Sequence, residues 1–266
     1  MRDRQKFAVL RAARRIWTIS AVHGDADRLD RLHAQLEGRL RRGDRVVYLG
    51  NLLGRGDTIR QTLDHVIEFR RGFLALHQNF PEDIAFLRGG QEEMWQKLLQ
   101  LQFASDPRGV LSWMLDQGVG ATLEAYGSSA REGLREAASG PLQLTRWTGR
   151  LRSAIQDNPG HYQIMNEIRR AAYTSDRRVL FVHTGLDPTR PLETQKDSFW
   201  WSSSAFARLN EPYGDFQRIV RGYDPSHPGL ETTEYTVTLD GGCGFGGPLM
   251  AACLGPEGDV IEMLEA

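Results

Sequence analysis

The amino-acid sequence predicts an α/β fold. Short apolar segments rich in β-branched residues alternate with longer segments in which leucines recur at helical spacing. The connections between them are short, as in sheets of parallel strands that are covered by helices. At 266 residues the chain is long enough for one large domain or two small ones. No linker-like composition divides it, so we expect a single domain over residues 16–266.

The first third of the chain predicts a β-α-β-α-β unit. Residues 16–22 (IWTISAV) and 45–49 (RVVYL) are short and apolar, and 83–87 (DIAFL) gives a third strand. Between them, residues 27–40 carry leucines at helical spacing, and Asp57 is a suitable N-cap for a second helix. This order favours a parallel sheet with helices on its faces.

The rest of the chain divides into a helical segment and a second set of strands. Residues from about 91 to 176 contain helical patterns interrupted by prolines and no clear strand. We interpret them as a helical insertion over the carboxyl edge of the sheet, where ligands bind in open α/β folds. Glycine-rich turns separate the last three strands and predict antiparallel hairpins. The predicted strands are 178–182, 217–220, 235–239, 249–254 and 260–264.

The composition excludes several classes of protein. The 33 basic and 34 acidic residues give a net charge of −1, which argues against nucleic acid or membrane binding through overall charge. No apolar run approaches the ~20 residues of a membrane-spanning helix. Cys243 and Cys253 give neither a disulfide framework nor zinc spacing, which predicts a reducing compartment, the cytoplasm.

Residues 1–15 are strongly basic, with six Lys or Arg residues and one Asp. We interpret them as a solvated N-terminal arm ahead of the first strand. Contact with phosphates or lipid headgroups is the alternative interpretation. No aromatic or heptad pattern accompanies the charge, which favours the solvated arm.

Five predicted strands end in polar loops that contain glycine, and we expect these loops to converge on one pocket. Two of the loop segments are distinctive: residues 181–188 read FVHTGLDP and residues 239–247 read LDGGCGFGG. With these motifs the chain resembles the calcineurin-like metallophosphoesterases, in particular bacterial Ser/Thr protein phosphatases and diadenosine tetraphosphatases. The resemblance covers nearly all of the chain outside the insertion. It implies a metallophosphoesterase-type β-sandwich flanked by helices.

The first two motifs of that family are altered here. Family members hold two divalent metals that clamp a phosphoryl group and generate a hydroxide. Their Asp-x-His motif reads Ala21-Val22-His23 in this chain, so the carboxylate is absent and the imidazole is kept. In their Gly-Asp-x-x-Asp-Arg-Gly motif, Asn51 replaces the metal-bridging Asp and Gly54 replaces the second Asp.

The later motifs are altered as well, with one exception. In the family's Gly-Asn-His-Glu motif, Gly90 replaces the Asn ligand and Gln91 replaces the general-acid His. Glutamine cannot donate a proton to a leaving group, because its amide does not titrate. Tyr223 stands at the His of Gly-His-Thr, whereas Val-His-x-Gly is intact at His183.

These changes argue against a dinuclear metal centre. Hard divalent cations need anionic oxygens, and of the residual ligands that the resemblance implies, His23, His183 and Asn51, none carries a negative charge. We therefore expect no cofactor. The alternative is a rebuilt site for one divalent metal (Mn, Fe or Zn) on the two histidines and Asp224. Asp224 otherwise caps the turn before Pro225.

Three arginines, Arg55, Arg88 and Arg221, follow three different strands. Guanidinium groups bind phosphate without a metal, and the resemblance implies that Arg55 contacts a substrate phosphate. We therefore consider all three as phosphate-binding residues. The alternative is that Arg88 pairs with Glu92 and Arg221 with Asp224 as ordinary ion pairs.

Three functions remain open on this sequence. The first is a catalytically inactive pseudophosphatase that binds a phosphate-bearing ligand or a protein partner. The second is an active metal-dependent phosphoesterase with the rebuilt mononuclear site. The third is a purely structural interaction subunit that uses the insertion or the aromatic run 199–201 (FWW), which otherwise fills the core.

Overall fold

The computed structural model describes residues 6–11, 13–76 and 78–266, and its strands form two sheets. The strands are β1 (Phe7–Leu10), β2 (Ile16–Ile19), β3 (Arg45–Tyr48), β4 (Ile84–Phe86), β5 (Ala171–Thr174), β6 (Val179–Val182), β7 (Arg218–Arg221), β8 (Gly229–Thr232), β9 (Thr236–Asp240), β10 (Met250–Leu254) and β11 (Val260–Glu265). The strand order is β1-β5-β6-β7-β9-β8 in one sheet and β11-β10-β2-β3-β4 in the other.

Helices flank the sheets, and short 3-10 turns lie at Pro81–Asp83, Leu101–Phe103 and Leu192–Thr194. The α-helices are α1 (Ala26–Glu37), α2 (Ile59–Ala75), α3 (Gly90–Leu98), α4 (Pro107–Asp116), α5 (Val119–Ala125), α6 (Ala130–Ala138), α7 (Pro141–Gln156), α8 (His161–Glu167), α9 (Ser198–Trp201) and α10 (Ser203–Phe206). Among the described residues, no helix combines the length and apolar character that crossing a membrane requires.

The two sheets share a buried apolar layer, as a sandwich requires. Val47 and Leu254 of the five-stranded sheet belong to the same buried cluster as Phe181, Val220 and Val237 of the six-stranded sheet. The α/β class and the sandwich flanked by helices are therefore confirmed. Burying both faces of a strand explains why the apolar residues of segments such as 46–49 are consecutive in sequence.

The predicted β-α-β-α-β unit is present. β2, β3 and β4 pair in parallel, and α1 and α2 connect them. In the other sheet β6, β7 and β9 are also parallel. Parallel strands place their carboxyl ends at one edge of a sheet, so the loops after these strands can meet.

Thr58 joins the starts of the two crossover helices, and it takes the N-cap position that the sequence predicted for Asp57. The Thr58 hydroxyl accepts a hydrogen bond from the backbone N–H of Ala26 at 2.9 Å and donates one to the carbonyl of Gly24 at 2.8 Å. Thr58, not Asp57, is the N-cap position of α2, while Asp25 caps α1 by accepting from the N–H of Arg28. This contact holds the loop after β2 against the start of α2.

The predicted helical insertion begins with α3 and continues through α8. Pro107 and Pro141 are the first residues of α4 and α7, where the missing N–H costs nothing. Its last helix is anchored to α2 by His161, which is buried. The ring of His161 hydrogen bonds the Tyr126 hydroxyl at 2.8 Å and the Asp64 carboxylate of α2 at 3.1 Å.

Three strands were not predicted, and two of them lie in segments assigned otherwise. β1 lies inside the predicted basic arm, and β5 lies inside the predicted insertion 91–176. β1 is only four residues long and flanked by charge, and β5 (AAYT) is poor in β-branched residues, so neither has a clear strand pattern. β8 is a largely exposed edge strand.

The prediction of hairpins among the last three strands is correct for one pair only. β10 and β11 pair antiparallel. β9 belongs to the other sheet, where it pairs with β8 and β7, so the chain crosses between sheets after β9. A sequence read strand by strand does not distinguish a hairpin from such a crossing.

Part of the charge assigned to a solvated arm is neutralised by ion pairs. Residues 1–5 and 12 lie outside the described residues. Arg15 donates to the Asp44 carboxylate at 3.0 Å from Nε, and Arg11 donates from Nε to Asp83 at 2.9 Å. Arg11 and Arg15 thus attach the segment around β1 to the rest of the fold.

Asp83 is a fully buried carboxylate on which this attachment depends. Besides the contact with Arg11, the Asp83 carboxylate lies 3.0 Å from Nε of Arg45 and accepts the backbone N–H of Phe80 at 2.9 Å.

Asp83→Ala would leave the buried Arg45 guanidinium without this carboxylate, so we expect a loss of about 3 kcal/mol in the free energy of unfolding. Urea unfolding measures it. Glu82→Ala, which removes an exposed neighbouring carboxylate, is the control and should change stability by less than about 0.5 kcal/mol. Equal effects of the two substitutions would contradict this account.

Candidate functional site

The loops after five parallel strands converge on one cavity of about 220 Å³. Loops from both sheets contribute to it, as the sequence predicted. Side chains that line it include His23, Asn51, Arg55, Gln91, His183 and Tyr223.

The backbone of these loops is strained and closely packed. His23, Asn51 and Arg55 all have positive φ, at 55°, 52° and 52°, a conformation that non-glycine residues rarely adopt. Gly50 and Gly89 have no room for a side chain. A Cβ on Gly50 would lie 2.8 Å from His183 Nδ1, and one on Gly89 would lie 2.2 Å from Asn51 Oδ1. Strain concentrated at one site is typical of functional loops.

The Asn51 side chain has a fixed orientation and bonds His23. Its Oδ1 accepts the backbone N–H of Gln91 at 3.0 Å, which identifies the other atom as the amide nitrogen. That nitrogen, Nδ2, lies 3.2 Å from His23 Nε2. An amide nitrogen can only donate, so Nε2 accepts and the proton of the neutral imidazole is on Nδ1. Burial lowers the pKa of His23 well below its usual value, with His183, Arg55 and His227 adding to the effect, and keeps the ring neutral.

Glu92 holds two of the loops together. Its buried carboxylate accepts three backbone N–H groups, those of Asn51 at 2.9 Å, Leu53 at 2.9 Å and Gly89 at 2.8 Å. Burial raises the pKa of Glu92, and these hydrogen bonds oppose the rise. The carboxylate is therefore committed to the backbone of the loops after β3 and β4.

His183 presents a free ring nitrogen to the cavity. Its Nδ1–H donates to the carbonyl of Leu49 at 2.7 Å, so Nε2 carries the lone pair. Nε2 makes no hydrogen bond with any described residue. Burial lowers the pKa of His183 to about 4. The Tyr223 ring stacks on it at a centroid distance of 5.4 Å, and burial raises the pKa of the Tyr223 hydroxyl, which stays protonated.

Of the three predicted phosphate-binding arginines, the structure brings only Arg55 to the cavity. Its guanidinium lies over the Phe245 ring, 4.1 Å from the centroid, and is exposed. It makes no ion pair within the described ranges. Arg88 instead donates to Glu93 at 3.0 Å, not to Glu92, and lines a different cavity.

Arg221 is a buried structural residue. It lies 2.5 Å from the Asp224 carboxylate and donates to the hydroxyls of Thr238 at 2.9 Å and Ser203 at 3.0 Å. The ion-pair alternative describes Arg221 correctly. Asp224 in turn accepts from Ser226, through both the backbone N–H and the hydroxyl, and from Ser203. Four donors thus occupy the two oxygens of Asp224, and the turn-cap interpretation fits these contacts.

The helical insertion forms one wall of the cavity. The Gln91 side-chain N–H donates to the carbonyl of Gln117 at 2.7 Å, and the backbone N–H of Arg55 donates to the carbonyl of Gly118 at 3.3 Å. At the mouth, Trp113 of α4 packs edge-on against Trp201, at 5.7 Å between ring centroids. The sequence did not assign Gln117 or Trp113 to the site, because nothing local marks the turn of an insertion that folds back.

The aromatic run 199–201 divides between core and site. Phe199 and Trp200 are buried, whereas Trp201 is 46% exposed and lines the cavity. The core interpretation is correct for the first two. Phe245 and Glu92 are further site residues that sequence reasoning missed as such. The sequence did contain a signal for Glu92, because this residue stands at the Glu of the Gly-Asn-His-Glu motif.

Three buried polar atoms at the cavity make no hydrogen bond with the described residues: His23 Nδ1, Gln91 Oε1 and Thr184 Oγ1. Buried polar groups in proteins are almost always paired, so each such exception requires an explanation. Here the three exceptions belong to residues that line one small cavity.

Comparison with solved structures identifies the architecture. A protein described as a candidate diadenosine tetraphosphatase matches over 98% of both chains with a TM-score of 0.57 and 16% identity. A Saccharomyces cerevisiae protein serine/threonine phosphatase with similarity to human PP5 matches over 99% of this chain and 85% of its own, with a TM-score of 0.54 and 13% identity. The chain has the calcineurin-like metallophosphoesterase fold. A cold-active protein tyrosine phosphatase also matches, over 98% of this chain and 82% of its own, at TM-score 0.54 and 11% identity. No protein-family model and no curated protein sequence matches the chain.

The residues present do not fit the two-metal centre that a metallophosphoesterase fold implies. The His23 Nε2 lone pair, which would bind a metal, instead accepts the Asn51 amide N–H. Within the described ranges, no three His, Cys, Asp or Glu side chains are arranged to hold a metal ion. The structure therefore does not bring Asp224 together with His23 and His183 as the rebuilt site requires.

The space beside two replaced motif residues, Gly54 and Gly90, is filled by other side chains. A Cβ on Gly54 would lie 2.3 Å from the Gln91 side chain. A Cβ on Gly90 would lie 3.2 Å from the ring of Trp201. Larger side chains at either position of this metallophosphoesterase fold would therefore displace Gln91 or Trp201.

The buried neutral histidines predict acid-sensitive stability. A His183 pKa near 4, against 6.5 when unfolded, means that the unfolded chain binds the additional proton first. Its contribution of about 3 kcal/mol is therefore complete above pH 6.5 and is lost as the pH falls toward 4. Urea unfolding at pH 7, 6 and 5 should show this decline, and His183→Gln should reduce its slope. His65→Gln, at a partly exposed histidine on α2, is the control. An unchanged slope in His183→Gln would contradict the assignment.

Proposed function

We propose that this protein is a catalytically inactive pseudophosphatase that binds a phosphate-bearing ligand in the cavity around His23 and His183. The observation that carries the proposal is the hydrogen bond of 3.2 Å from the Asn51 amide to His23 Nε2. It occupies the lone pair that would otherwise bind a metal. The scaffold of a phosphoesterase is thus kept while two of the residual ligands, His23 and Asn51, are bonded to each other.

Catalysis also lacks a proton donor for the leaving group. Gln91 stands where the family places its general-acid histidine, and its side-chain N–H is already donated to Gln117 at 2.7 Å. An amide does not ionise near neutral pH and so cannot act as a general acid. His183 keeps a free Nε2, but its low pKa of about 4 leaves it unprotonated and unable to act as an acid.

The cavity has the chemistry to bind an anion. Arg55 provides a cation with no carboxylate partner among the described residues, and Tyr223 provides a protonated hydroxyl. Of the described residues that line the cavity, none is Asp or Glu. His183 Nε2 can accept a hydrogen bond, which suits a phosphate that retains one proton. An arginine can bind such a group without a metal.

The ligand is a phosphorylated small molecule or a phosphorylated protein partner. The exposed pair Trp113 and Trp201 at the cavity mouth provides apolar contact area for the group that carries the phosphate. Both cysteines are free and buried, which supports a reducing compartment, and we place the protein in the cytoplasm.

Calorimetric titration with inorganic phosphate and with a phosphoserine peptide tests binding. We expect both to bind and Arg55→Gln to weaken each by at least about tenfold, because a charge-assisted hydrogen bond is lost. The control is Arg60→Gln, at an exposed arginine of α2 outside the cavity. Absence of binding, or equal effects of Arg55→Gln and Arg60→Gln, would favour the purely structural subunit instead.

A turnover assay tests the inactive assignment. The protein is incubated with Mn²⁺ and assayed on p-nitrophenyl phosphate and on the phosphoserine peptide. We expect rates equal to those of the His183→Ala variant, because neither protein has a metal clamp or a general acid. Turnover that depends on Mn²⁺ and disappears in His183→Ala would overturn the proposal and support the mononuclear phosphoesterase.

A further inference from the structure

A second cavity, of about 290 Å³, also borders α3. Gln91 and Met94 line the candidate site, whereas Trp95 and Gln96 line the second cavity. Successive residues of an α-helix are about 100° apart around its axis, so these two pairs lie on different faces of α3.

The second cavity has an apolar floor and a polar rim. Trp95, Ile155 and Ile168 are buried and form part of its wall. Exposed amide side chains, including Gln100 and Asn166, line it nearer to solvent. A volume of about 290 Å³ is at the lower end of pockets that hold small organic molecules. A ligand with a flat apolar body and a polar edge matches this lining.

The charge at the rim is positive. Arg152 of α7 donates one hydrogen bond to the backbone carbonyl of Leu99 and makes no ion pair with any described residue. A guanidinium has five N–H donors, so most of its capacity remains. The one carboxylate in the lining is that of Glu92, which is fully engaged by three backbone N–H groups. An anionic group on the ligand therefore meets a cation and no free carboxylate.

Trp95 supplies a second, independent indication. The residue is 1% exposed, and its indole N–H has no hydrogen-bond partner among the described residues. The ring face packs near Tyr126, at 5.7 Å between centroids. Of the other buried tryptophans, Trp147 donates to Ser128 at 2.8 Å and Trp200 to the carbonyl of Arg88 at 2.9 Å, whereas the Trp17 indole N–H has no partner among the described residues either. Trp95 differs from Trp17 in that its side chain forms part of the cavity wall, against which an aromatic ring can pack.

We propose that the cavity bounded by α3, α7 and α8 binds a small aromatic carboxylate, with the carboxylate on Arg152 and the ring against the Trp95 side of the wall. This site is separate from the proposed phosphate site. It does not depend on metal binding or on the activity of the protein.

The test is an NMR titration with 2-naphthoate as the probe. In ¹⁵N-labelled protein, the Trp95 indole signal is identified by its loss in Trp95→Phe. We expect 2-naphthoate to bind with a Kd below about 1 mM and to move the Trp95 signal. The Trp113 signal, at the mouth of the other cavity, should not move.

Two variants and one matched probe make the test specific. Arg152→Gln should weaken 2-naphthoate binding about tenfold, because the charge-assisted contact is lost. Arg150→Gln, on the same helix at an exposed arginine paired with Glu132, should leave binding unchanged. The uncharged 2-naphthamide should bind the native protein about as weakly as 2-naphthoate binds Arg152→Gln. Thermal melts establish that both variants remain folded.

Absence of binding below about 1 mM would overturn the proposal. So would binding that leaves the Trp95 signal in place, or equal affinities in Arg152→Gln and Arg150→Gln. Neither result would bear on phosphate binding at Arg55, so this proposal fails or stands independently of the proposed function.

Discussion

The buried carboxylate of Glu92 is the interaction on which the site depends. The loops after β3 and β4 approach so closely that Gly50 and Gly89 cannot carry a side chain. At that distance the N–H groups of Asn51, Leu53 and Gly89 have left the sheet and need another acceptor, since buried backbone donors are costly when unpaired. Glu92 accepts all three. The loops therefore keep the geometry of a phosphoesterase site although the residues they carry have changed.

Within this frame the altered residues are adapted to one another. The Asn51 amide donates to the His23 Nε2 lone pair at 3.2 Å, which leaves that lone pair unavailable to a cation. The side chain of Gln91 lies where a residue larger than Gly54 would extend, and Trp201 covers Gly90. A larger side chain at position 54 or 90 alone would therefore clash with a neighbour.

Structural features that recur along the chain, or that depend on neighbouring residues, could be predicted from the sequence. The parallel β2-β3-β4 unit could be predicted because each strand is buried on both faces and is mostly apolar. The converging loops could be predicted because parallel strands end at one edge. β1 and β5 could not, because four residues with few β-branched side chains have no distinctive pattern, and their pairing with each other depends on a separation of about 160 positions.

Side-chain partners were harder to predict than positions. Arg55, Arg88 and Arg221 look equivalent in sequence, since each follows a strand that ends near the pocket. Their surroundings separate them. Arg88 pairs with Glu93 in the first turn of α3, and Arg221 pairs with Asp224 in the loop after β7. Of the three, Arg55 alone is left for a ligand, because its guanidinium lies over the uncharged ring of Phe245 and pairs with no carboxylate of the described residues. Which cation is unpaired depends on contacts across the fold that no local motif records.

The energetics of the cavity argue that it is kept for binding. A buried polar group without a partner costs about 1–3 kcal/mol, and His23, Gln91 and Thr184 each contribute one such atom. An apolar replacement at these positions would remove that cost, and a site with only a structural role would gain stability from it. The positive φ of Arg55 adds strain in the same loop. Strain, unpaired polar groups and an unpaired cation in one cavity are the features that the proposed binding of an anion requires.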